Sequence, residues 1–140
     1  MNLLLANLRI AGILLLALAL ANGPIAKHFH WREESARLSP FNRQVFLVHA
    51  FFVAMTVGLM GILVLFWAPA LTTPNPLGVP ITAGLAIFWG VRLYCKWFVY
   101  DRVLWRGKRF ETVVHVVFSL LWIYLTGLFG LCLRLQLTAA

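Results

Sequence analysis

Two histidines lie inside long apolar runs of this sequence, where an ionisable side chain is energetically costly. At about 1.5 Å per helical residue, His49 lies roughly 6 Å past Val45 and His115 roughly 4.5 Å past Thr112. Two neutral imidazoles at one depth are the axial ligands that a six-coordinate b-type haem requires. The spacing therefore predicts a haem b site at His49 and His115. The alternative is that each imidazole makes one hydrogen bond to a carbonyl or a lipid headgroup.

A second group of ionisable side chains follows the first apolar run, in the segment His28-Phe29-His30-Trp31-Arg32-Glu33-Glu34. Imidazoles and carboxylates are the side chains that ligate transition metals. Membrane oxygenases that resemble desaturases need more histidines than the four in this chain. The predicted metal ligands are His28, His30, Glu33 and Glu34. The alternative is a solvated interfacial loop in which Arg32 and Arg37 pair with the two glutamates.

A third group is basic and aromatic, and it contains the run Trp105-Arg106-Gly107-Lys108-Arg109. Its Gly-Lys pair lacks the strand and the glycine pattern of a phosphate loop, so a nucleotide site is not indicated. At a membrane surface, each lysine or arginine attracts anionic lipid by about 1 kcal/mol. The predicted contacts with lipid or with a partner are Arg102, Trp105, Arg106, Lys108 and Arg109.

The segments that position these groups are far more apolar than a soluble domain. Of the 140 residues, 62% are hydrophobic and 11% are charged, whereas soluble domains are about half apolar and about a quarter charged. A membrane-spanning helix needs about 20 mostly apolar residues. The predicted fold class is all-α: a polytopic membrane protein with a four-transmembrane-helix bundle, forming a single transmembrane domain over residues 1–140. The predicted spans are 2–22, 45–68, 80–99 and 112–133.

The first span has two interpretations. Its last residues, Ala19 and Ala21, also fit a signal peptide with a small-residue cleavage site. Cleavage would leave the next loop as a cytoplasmic N-terminal tail, which an export signal would not produce, so we expect a retained helix. Asn22-Gly23-Pro24 is its predicted stop.

The charged residues are concentrated in two loops, Gly23–Gln44 and Tyr100–Glu111, which four spans place on one side of the membrane. These loops hold eight of the twelve lysines and arginines, whereas the connection Pro69–Val79 holds no cation. Because cytoplasmic loops carry the excess of lysine and arginine, the pattern predicts cytoplasmic charged loops and both termini outside, in a bacterial inner membrane. The cations lie between apolar runs rather than in one stripe, which favours anionic headgroups over nucleic acid as the partner.

Small residues recur every four positions in two of the spans. Such spacing lets helix backbones approach closely inside a bilayer, where apolar side chains alone give little driving force for association. The predicted packing positions are Ala50, Ala54, Gly58, Ala86 and Gly90. They indicate either internal packing or the docking of a partner subunit.

Three functions follow from these patterns, and the leading hypothesis is a small accessory or anchor subunit of a larger membrane complex, such as a redox complex. Its expected partners are membrane lipids and other membrane protein subunits. One alternative is a b-type haem protein for electron transfer or quinone reaction, using His49 and His115. The other is a small membrane enzyme acting on lipid or isoprenoid headgroups through the His28–Glu34 segment.

Overall fold

The chain is all-helical. The structure, a computed structural model, describes residues 2–101, 103 and 106–139, and no strand occurs among them. Four of its helices are long and apolar enough to cross a bilayer, which confirms the predicted all-α class with four membrane-length helices. The elements are α1 (Asn2–His28), α2 (Trp31–Ser35), α3 (Pro40–Phe66), a 3₁₀ turn (Ala68–Leu71), α4 (Gly78–Phe98) and α5 (Arg109–Ala139).

Helix α1 is longer than the sequence pattern predicts. The predicted stop at Asn22-Gly23-Pro24 is wrong, because α1 continues through Pro24 to His28. Proline is tolerated inside membrane-spanning helices, where neighbouring groups compensate for its missing N–H. The chain turns at His30, whose φ of 52° lies in the left-handed region that histidine enters more readily than most residues. The extension brings the last turn of α1 next to α2.

The other three spans begin earlier than predicted, and α4 does so by two residues, at Gly78 rather than at Pro80. Helix α3 starts at Pro40 rather than at Val45, because Ser39 caps it by accepting a hydrogen bond from the Asn42 N–H at 3.4 Å. Proline at the first turn of a helix loses no hydrogen bond. Helix α5 starts at Arg109 rather than at Thr112, and it extends to Ala139.

The chain divides into two compact units, Met1–Ala68 and Pro69–Ala140. In the first unit α1 packs against α3, and α2 contacts α1. The helices approach each other closely at Gly12, where an added Cβ would lie 2.7 Å from the Leu65 nitrogen, and at Gly61, where it would lie 3.0 Å from the Gly12 oxygen. The buried hydrophobic residues of this unit are Leu8, Ala11, Leu15, Val57, Val64 and Ala68.

In the second unit α4 packs against α5. Trp89 is fully buried and packs against Trp122 with a centroid distance of 4.9 Å and an angle of 35° between the rings, and the Arg92 guanidinium lies 5.2 Å above the Trp122 ring. Gln136 is also fully buried, and its Nε2 donates to the Leu71 carbonyl oxygen and to Thr82 Oγ1. These contacts join α4, α5 and the 3₁₀ turn.

Candidate functional site

The first unit is closely packed at one end and open at the other. Between residues 16 and 28 of α1, and between residues 40 and 56 of α3, no residue is fully buried. The two helices enclose a groove of about 1030 Å³ there, which we call the α1–α3 groove. It begins where the close contact at Gly12 and Gly61 ends, and it extends to α2.

Small side chains form much of both walls. Ala19 and Gly23 line the groove on α1, and Ala50 and Ala54 line it on α3. At the narrow end, a Cβ on Gly58 would meet the Ala19 Cβ at an ordinary 3.5 Å. The space therefore results from short side chains on two helices that are already separating.

Polar and charged residues surround the wide end of the groove, beside α2. We call this end the mouth, and its residues are Lys27, His30, Trp31, Arg32 and Glu33. The Trp31 ring packs edge-on against Phe46 of α3, with a centroid distance of 5.5 Å, and so joins α2 to α3. The left-handed backbone at His30 turns the chain from α1 into α2 and thereby sets these side chains over the groove.

The carboxylates near the mouth already have partners. His30 Nδ1 lies 2.8 Å from Glu33 Oε2, and Arg37 lies 3.9 Å from the Glu34 carboxylate. No ion pair among the described residues involves Lys27 or Arg32. The mouth therefore combines an apolar interior with two cations that are in no ion pair and one carboxylate, Glu33.

The four predicted metal ligands are only partly brought together. His30 and Glu33 are in contact, whereas Glu34 lies beside Arg37 and the His28 ring packs against Phe29. In the part of the chain that the structure describes, no three His, Cys, Asp or Glu side chains are close enough to hold one metal ion. The Arg37–Glu34 pair was expected for a solvated interfacial loop.

The chain matches no protein-family model, no curated protein and no solved structure.

The two histidines of the predicted haem site lie in different units, His49 exposed on α3 and His115 half-buried on α5. With the observed helix starts, they lie about 14 Å and about 9 Å into their helices.

The predicted basic contacts lie at the start of α5 and before it. Arg106, Lys108 and Arg109 are exposed, and Gly107 has a φ of 84°. Arg102 and Trp105 lie outside the described residues. Of the packing positions in the second unit, Ala86 is half-buried, and a Cβ added at Gly90 would lie 3.6 Å from the Thr126 Cγ2 atom of α5.

Sequence reasoning missed the α1 side of the groove, including Lys27 at the mouth. It ended α1 near Pro24 and so assigned Lys27 to a loop. One signal was present: Ala19 and Gly23 are four residues apart, the same spacing as Ala50 and Ala54 on α3. Matching small-residue faces on two consecutive spans would have indicated that these helices face each other.

Proposed function

We propose that this protein is an integral protein of a bacterial inner membrane that binds one lipid molecule in the α1–α3 groove. The observation that carries the proposal is an apolar groove of about 1030 Å³ within a membrane-length helix pair, with a charged mouth at one end. Pockets that enclose small ligands are typically about 300–1000 Å³. The groove therefore has room for a large amphipathic molecule.

The length of the groove is suited to an acyl or isoprenoid chain. Its walls extend from Leu16 to Lys27 on α1 and from Leu47 to Gly58 on α3. At 1.5 Å per residue, each wall is about 17 Å long. One leaflet is about half of the roughly 30 Å hydrocarbon thickness of a bilayer. A lipid whose headgroup lies at the mouth would thus have its chain in the groove over the depth of one leaflet.

The charge distribution determines which leaflet supplies the lipid. The mouth belongs to the first charged loop, and the excess of lysine and arginine in both charged loops favours a cytoplasmic location for them. Both chain termini are then outside. The bound lipid comes from the cytoplasmic leaflet, where anionic headgroups give the membrane surface its negative potential.

Native mass spectrometry of the detergent-purified protein tests the proposal. We expect one retained lipid per chain, and we expect the double substitution Ala50→Leu/Ala54→Leu to remove it, because the added side chains fill the groove. The matched control is Val48→Leu/Val53→Leu, which adds volume to exposed positions of α3 that do not line the groove. A wild-type protein without lipid, or groove variants that keep it, would contradict the proposal.

A second candidate function is the accessory or anchor subunit predicted from the sequence. The observation that favours it is on α4 and α5, where a Cβ on Gly84 or Gly127 would meet no atom within 4 Å. Such positions allow another helix to approach closely. Purification in mild detergent at native expression level tests this role. We expect a co-purifying membrane protein that Gly84→Leu or Gly127→Leu displaces, and an isolated monomer would contradict it.

A further inference from the structure

Two cations lie at the mouth on adjoining elements. Lys27 is in the last turn of α1, and Arg32 is in the first turn of α2. Both line the α1–α3 groove, so their side chains border the same space. A molecule bound in the groove would place its polar end between the Lys27 ammonium group and the Arg32 guanidinium group.

The acids at this end form no ion pair with these two cations. Glu33 is held by His30 at 2.8 Å, and Glu34 lies beside Arg37. The two cations outnumber the single carboxylate at the mouth, Glu33, so the mouth has a net positive charge and favours an anionic group over a cationic one. This asymmetry distinguishes headgroups: a zwitterionic headgroup brings its own cation to the mouth, whereas an anionic phospholipid brings only its phosphate charge.

Lysine and arginine are the side chains best suited to a phosphate. An ammonium offers a compact charge with three donors, and a guanidinium offers two parallel N–H groups to two phosphate oxygens. We infer that the α1–α3 groove selects a glycerophospholipid with a net negative charge, with its phosphate bound by Lys27 and Arg32. This inference rests on the proposed lipid-binding function and adds the class of lipid.

The choice of a phospholipid follows from the position of the mouth. The groove runs beside a membrane-length helix pair, and its polar end belongs to the loop at the membrane surface. A phospholipid of the surrounding leaflet has its phosphate at that level and its chains directed along the groove. Such a phospholipid can enter the groove from the surrounding leaflet without passing through the aqueous phase.

The test is the composition of the lipid that stays bound. The protein is equilibrated in nanodiscs with equal amounts of phosphatidylglycerol and phosphatidylethanolamine of identical chains. It is then transferred to detergent, and the retained lipids are counted by native mass spectrometry. We expect phosphatidylglycerol to be retained preferentially. Each of Lys27→Gln and Arg32→Gln is expected to lower the retained ratio about fivefold, as for one cation near a membrane surface.

The matched control is Arg9→Gln/Arg134→Gln, which removes two exposed cations that do not line the groove. It changes the net charge as much as Lys27→Gln/Arg32→Gln does, and we expect it to leave the retained ratio unchanged. Raising the salt concentration during equilibration is also expected to weaken the preference, because exposed charges are screened.

The outcomes separate the two proposals. One retained lipid with no headgroup preference in the wild-type protein overturns the phosphate inference and leaves lipid binding intact. No retained lipid overturns both. A polyisoprenyl phosphate as the lipid of the protein purified directly from cells also overturns the choice of a glycerophospholipid. A photoreactive residue at Ala54 that crosslinks to a polypeptide instead of a lipid overturns the assigned occupant.

Discussion

Gly12 on α1 lies against the backbone of Leu65 on α3. An added Cβ at Gly12 would be 2.7 Å from the Leu65 nitrogen and 2.9 Å from its α-carbon. Backbone atoms cannot rotate away as a side chain can, so the helices themselves would have to move. This contact determines where α1 and α3 meet and, therefore, where the α1–α3 groove begins.

Gly12→Ala is expected to destabilise the first unit by about 1–3 kcal/mol, the usual cost of forcing extra volume into a packed interior. The higher helix propensity of alanine offsets at most about 1 kcal/mol of this. Unfolding in mixed micelles with increasing sodium dodecyl sulfate, followed by circular dichroism, measures the difference.

Gly58→Ala is the control, because its Cβ would meet only the Ala19 Cβ at an ordinary 3.5 Å. It adds the same methyl group to the same helix pair. Equal stability of the two variants would show that the close approach at Gly12 is incorrect.

The fold was predictable from the sequence where the apolar pattern lies within a single helix. An uncharged run of about 20 residues has few other stable forms in a bilayer, and α3 and α5 occur at such runs, whereas α1 includes Arg9 and α4 includes Arg92 and Lys96. Helix ends were less predictable. Pro24 is tolerated inside α1, and the Ser39 cap adds an extra turn to α3 before Val45.

The α1–α3 groove was not predictable, because it depends on a pair of helices. The small residues Ala50, Ala54 and Gly58 were predicted to be packing positions, but only Gly58 lies at the narrow end of the groove. Ala50 and Ala54 line the groove instead. The close contacts at Gly12 and Gly61 belong to different helices, so no single helix shows where the groove begins.

The buried amide of Gln136 provides a test of the second unit. Its Nε2 lies 2.5 Å from the Leu71 carbonyl oxygen and 3.0 Å from Thr82 Oγ1. Gln136→Leu removes both hydrogen bonds and leaves a buried carbonyl without its donor. We expect a loss of about 1–2 kcal/mol, near the upper end of the range for such bonds in membrane proteins. The same unfolding assay measures it.

Thr82→Val keeps the shape at position 82 and removes one of the two bonds, so a smaller loss is expected. Thr138→Val is the control, since the exposed Thr138 hydroxyl donates to carbonyls of its own helix. If Gln136→Leu is no less stable than Thr138→Val, the amide does not join the 3₁₀ turn to the helices.

The haem hypothesis remains a prediction that absorption spectroscopy tests. A b-type haem with two histidine ligands would give the protein a Soret band when it is purified from haem-replete cells. His49→Ala and His115→Ala should each abolish or shift that band. His28→Ala is the matched control, because His28 lies outside the predicted pair. The absence of a Soret band in the wild-type protein would remove the hypothesis.

The orientation in the membrane is tested by cysteine labelling. Single cysteines at Arg37 and Lys108, in a background where Cys95 and Cys132 are replaced by alanine, should react only with reagents that reach the cytoplasm. A cysteine at Thr73, in the uncharged connection between α3 and α4, should react from outside intact cells. This pattern follows from the concentration of lysine and arginine in the two charged loops. Labelling of position 37 from outside would place the mouth of the groove in the other leaflet, which would overturn the proposed cytoplasmic source of its lipid. Labelling of position 108 alone from outside would contradict the common side predicted for the two charged loops.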